Sequence, residues 1–78
     1  MGSKEMCEAL FVSFMPSDVT PDGRAVADAV RWAVDQYHGI RGCAAEMAAA
    51  YGNDPDSAVA RMRWARGVVA SLSTLTAA

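Results

Sequence analysis

The chain has 78 residues and a formal net charge of −2. That length makes one domain with thin stability, since so short a chain buries only roughly 60% of its unfolded surface. The charge argues against strong nonspecific nucleic-acid affinity, two cysteines are too few for a disulfide framework, and no run approaches the ~18 apolar residues of a membrane span.

Four helices and no strands are expected. The first runs over about residues 3–14, with Met6, Leu10 and Phe14 in one apolar stripe and Cys7 beside it. Its apolar run Ala9-Leu10-Phe11-Val12 is short and follows Glu5 and Glu8, so it does not read as an export signal. Met6 stands where a myristoylation start wants serine or threonine. A cytoplasmic location is therefore expected, with Cys7 and Cys43 as two reduced, buried thiols. Met15-Pro16-Ser17-Asp18 breaks the helix.

The second helix is expected over about residues 21–38, with Thr20 as N-cap and Pro21 at the first helical position. Val26, Val30, Ala33, Val34 and Tyr37 form its core stripe. Arg24, Asp28, Arg31 and Asp35 form the opposite, alternating face, which reads as solvated. Trp32 lies off the stripe, beside Ala25 and Ala29. His38-Gly39 ends the helix, with Gly39 a left-handed cap.

The third helix is expected over about residues 42–51, closed by Gly52. The fourth, about 55–72, starts from Asp54 as N-cap and Pro55 at the first position; residues 73–78 form a frayed tail. Ala58, Met62, Ala65, Val69 and Leu72 make the cleanest helical period in the chain. The fold class is thus all-α: a compact four-helix domain ending in a helix-turn-helix-like αα-hairpin.

That hairpin carries the candidate site. Charge is uneven: residues 1–40 hold Lys4, Arg24 and Arg31 against Glu5, Glu8, Asp18, Asp22, Asp28 and Asp35, whereas the fourth helix has no acidic residue after Asp56. Arg61, Arg63 and Arg66 surround Trp64. On a helical wheel Trp64 falls away from the main stripe, on the side of Val68 and Leu72, so the fourth helix is apolar on two sides. Either it is sandwiched in the bundle or Trp64 anchors an interface. Trp and Arg are enriched in binding hot spots. A partner surface of Arg61, Trp64 and Val68, with Arg63 and Arg66 at the rim, is the leading expectation; the partner is another protein or a second copy.

DNA binding is the alternative. Ala48 and Gly52 fit a helix-turn-helix, but Val59 comes one residue late, and Asp54 and Asp56 would meet phosphates at the groove end of the helix. Catalysis has only His38 and Cys43, five residues apart, with no sign of an oxyanion site. No spacing suits a metal and no glycine-rich loop suits a phosphate, so no enzyme activity, cofactor or membrane partner is expected.

The segments Ala9-Leu10-Phe11-Val12-Ser13, Pro16-Ser17-Asp18, Gly42-Cys43-Ala44-Ala45, Tyr51-Gly52-Asn53-Asp54-Pro55 and Ala60-Arg61-Met62-Arg63-Trp64-Ala65-Arg66 resemble a group of short actinobacterial proteins without an assigned function. The resemblance implies an all-helical cytoplasmic protein of actinobacterial or actinophage origin, and it supplies no catalytic residues.

Overall fold

Five consecutive residues of the first helix, Cys7 to Phe11, are buried, so this helix is covered on all sides. The computed structural model describes residues 1–77, with side chains through residue 73. Its elements are α1 (Ser3–Phe11), α2 (Gly23–Gln36), α3 (Ile40–Asn53) and α4 (Pro55–Ala77). No strand occurs among the described residues. α1 packs against each of the other three helices, and α4 packs against α1 and α3. The expected single stripe on the first helix is therefore too narrow: α1 is the spine of the bundle. Ala9, fully buried, gives neighbours close approach where a larger side chain would hold them off.

The core gathers Cys7, Leu10 and Met15 from the first segment, Val26, Ala29, Val30 and Ala33 from α2, Cys43 from α3, and Ala65, Val68 and Val69 from α4. Both cysteines are free and buried, as expected. The Cα radius of gyration is 11.7 Å, close to the ~11.5 Å of a compact domain this long.

The helix ends differ from the sequence expectation, each for a local reason. α1 stops at Phe11 because Ser13 turns its hydroxyl back onto the Leu10 carbonyl at 2.7 Å and accepts from Met15 N–H at 3.2 Å. Phe14 thereby leaves the helix and its stripe. α2 starts at Gly23, with Asp22 rather than Thr20 as N-cap; the Asp22 carboxylate accepts from Ala25 N–H at 2.9 Å. Its C-terminus closes as a Schellman turn. Gly39 N–H donates to the Val34 carbonyl at 2.8 Å, and both His38 (φ 62°) and Gly39 (φ 113°) are left-handed.

α3 is longer than expected at both ends and absorbs Gly52 and Asn53, so Asp54 alone separates it from α4. α4 continues through Ala77, where a frayed tail was expected from residue 73; Ala78 lies outside the described residues. The expected N-cap of α4 is present: Ser57 N–H donates to the Asp54 carboxylate at 3.3 Å. Hydrogen bonds from Ser57 hold the Asp54 carboxyl below the usual range.

Candidate interaction surface

α4 was expected to present Arg61, Trp64 and Val68 outward. The structure turns all three toward the bundle. Val68 is buried in the core. Trp64 is half-buried and packs on the core edge, where its indole Nε1–H donates to the Val19 carbonyl at 2.9 Å. Arg61 lies across the end of α1: Nε donates to the Phe11 carbonyl at 2.6 Å, Nη2 to the Ser13 carbonyl at 3.1 Å and the Leu10 carbonyl at 3.4 Å, and Nη1 to the Ser17 hydroxyl at 2.7 Å. Its guanidinium carbon also sits 4.8 Å from the Trp64 ring centroid.

The chemistry explains why arginine is needed there. A helix C-terminus leaves carbonyls without partners and carries partial negative charge. One planar fork answers several carbonyls together, which a lysine ammonium does not. Burial lowers the Arg61 pKa, and the group remains a cation at neutral pH. Arg61 and Trp64 thus tie α4 to the loop of residues 12–22, a structural task. Two sides of α4 are apolar because it is sandwiched, the first of the two possibilities open from the sequence.

Arg63 and Arg66 remain exposed. Arg66 lines a cavity of about 450 Å³ with Lys4, Cys7, Glu8, Met47 and Tyr51. Burial raises the Cys7 thiol pKa, and Arg66 offsets part of that rise; burial likewise raises Cys43. Both groups are therefore held as thiols, which are poor nucleophiles. Cys43 is fully buried whereas His38 is exposed, so the two do not present a joint reactive face. No helix is long and apolar enough to cross a membrane among the described residues.

The exposed aromatic surface lies elsewhere. Phe14 is 58% exposed and Trp32 39%. They meet edge to face with ring centroids 5.4 Å apart, and Tyr37 meets Trp32 at 6.3 Å, again edge to face. Phe14 reaches the surface because α1 ends three residues earlier. Trp32 reaches it because it stands off the buried Val26/Ala29/Val30/Ala33 side of α2. The sequence held a signal for each: the Met15-Pro16 break for Phe14, and the off-stripe position for Trp32. Across the same helix, Arg24, Asp28, Arg31 and Asp35 are all exposed, as expected.

Comparison with protein-family models, curated proteins and solved structures gives no match for this chain.

Proposed function

We propose that this chain is a non-enzymatic protein-interaction module whose docking surface is the aromatic corner of Phe14 and Trp32, with Tyr37 supporting the Trp32 ring. The observation that carries this reading is the exposure of two large aromatics in mutual edge contact on a chain this small. Contiguous exposed apolar area marks interaction sites, and tryptophan leads the residues that dominate binding energy. Arg61 and Trp64 of α4 support it indirectly: both have partners within the fold, so they do not need one outside.

The DNA-binding reading draws less support. Asp54 is a single-residue link where a helix-turn-helix has a turn of three to four residues, and Asp54 and Asp56 stand at the end of α4 that would approach the groove.

The test pairs two double variants of the full chain. Phe14→Ser with Trp32→Ser abolishes association with the partner while the helical circular-dichroism signal and cooperative melting are kept. Arg63→Glu with Arg66→Glu leaves association intact. The reverse pattern refutes the assignment of the surface.

A further inference from the structure

The alternating charges of α2 have a symmetry that selects a partner. Arg24 and Asp35 are equally far from the midpoint between Ala29 and Val30, about 8 Å along the axis at 1.5 Å per residue. Asp28 and Arg31 are equally far from the same point, about 2 Å on either side. A two-fold axis perpendicular to α2 at that level, passing outside the helix alongside its charged face, would bring up an antiparallel copy with Arg24 opposite Asp35 and Asp28 opposite Arg31. Every pair across that axis is of opposite sign. A parallel copy in register would face arginine with arginine and aspartate with aspartate.

None of these four side chains forms an ion pair with another described residue. All four are exposed and free to meet charges from outside. The flanks of the stripe are apolar on both sides. One carries Trp32 and Phe14. The other is a groove of about 410 Å³ lined by Met1, Met6, Ala27, Val30 and Val34, with Arg31 and Asp35 at its edge. A two-fold axis of this kind keeps each flank on its own side, so aromatics meet aromatics and groove meets groove. Trp32 lies about 4 Å from the axis along the helix, which puts the two indoles within reach of each other. The stripe sets orientation and the flanks supply apolar burial, the division of labour found in isologous interfaces.

We infer that the occupant of this surface is a second copy of the chain, docked antiparallel along α2 about a two-fold axis that passes over its exposed face between Asp28 and Arg31. The inference rests on the interaction-module reading and names its partner.

Charge exchange on the full chain tests it, with sedimentation velocity as the readout. An acidic variant, Arg24→Asp with Arg31→Asp, and a basic variant, Asp28→Arg with Asp35→Arg, each place like charges opposite one another. The native chain dimerises with increasing concentration. Each variant alone associates at least about tenfold more weakly, and an equimolar mixture of the two restores the dimer. The fourfold exchange Arg24→Asp, Asp28→Arg, Arg31→Asp, Asp35→Arg keeps the complementarity and dimerises as the native chain does. The substituted positions are exposed, and circular dichroism confirms that each variant is folded. A native chain that stays monomeric at every concentration overturns the inference, as does a mixture that behaves like its components. In the first case, association with a different protein that is lost with Phe14→Ser and Trp32→Ser still supports the interaction reading; if that association is insensitive to the pair, both fall.

Discussion

Arg61 and Phe11 are 50 residues apart in the chain, and the Arg61 Nε–H donates to the Phe11 carbonyl at 2.6 Å. Through this contact the fourth helix closes the C-terminal end of the first. The same guanidinium reaches the carbonyls of Leu10 and Ser13 and the hydroxyl of Ser17, so it braces the helix end that Ser13 turns and ties down the loop that follows. That loop delivers Phe14 to the surface beside Trp32. An internal arginine thereby positions the external aromatic corner.

Removing the fork leaves helix-end carbonyls without their charged donor. Arg61→Ala is expected to cost about 2–3 kcal/mol of unfolding free energy, since hydrogen bonds to charged groups contribute about 1.5–3 kcal/mol and part of this site is solvated. Arg61→Lys recovers only a minor part, because an ammonium cannot reproduce the planar fork. Urea denaturation of the three proteins checks both statements. A loss no larger than that of Arg63→Ala, whose side chain is exposed, would contradict the role.

Two helix-interior glycines should respond in opposite directions. A Cβ at Gly42 would run into the Tyr37 carbonyl, where α3 crosses the end of α2. Gly42→Ala is expected to destabilise by about 1–3 kcal/mol, the usual cost of overpacking. Gly67 has open space around it within α4. Gly67→Ala should stabilise by up to about 1 kcal/mol through helix propensity and reduced freedom of the unfolded chain. Thermal melts of the pair give the signs directly.

The buried thiols set an alkaline limit. Burial raises the pKa of both Cys7 and Cys43 in the folded state. The folded protein thus holds these protons more tightly than the unfolded chain, so the stability they contribute is complete below the unfolded thiol pKa of about 8.5 and declines as pH rises beyond it. Unfolding free energy should fall above that pH in the native chain, and fall less in Cys7→Ala with Cys43→Ala. Cys43, which is fully buried, should also react with a disulfide reagent at neutral pH only as fast as the protein opens.

Much of α4 was legible in the sequence because its signals are local. Asp54 before Pro55 marks a helix start, and Ala58, Met62, Ala65 and Val69 keep one period along it. All four are buried or half-buried where the period puts them. α1 was only half legible. A stripe of Met6 and Leu10 reports one buried face, whereas burial of Ala9 and Glu8 depends on three neighbouring helices that periodicity does not see. The inward placement of Arg61 and Trp64 was not legible for a chemical reason. Arginine beside tryptophan is what an interface hot spot looks like, and it is also what capping a distant helix end looks like. The planar donor fork suits both, and only the placement of residues 10–17 against Arg61 separates them.

A duplex-DNA titration separates the two classes of partner. With Arg61 engaged inside the fold, only Arg63 and Arg66 of the α4 arginines are exposed, and Asp54 and Asp56 lie at the N-terminal end. Anisotropy of a labelled random duplex should show no salt-sensitive binding in the range of about 10⁻⁴–10⁻⁶ M typical of nonspecific DNA binders. Binding there that weakens steeply with salt would reinstate the nucleic-acid reading.

The most direct test of the account places a photoreactive benzophenone side chain at position 14 in one version of the chain and at position 63 in another. Both positions are exposed, one at the aromatic corner and one on α4. Irradiation is expected to give a discrete adduct from position 14 and none from position 63. An adduct from position 63 alone would place the working surface on α4 and contradict the account.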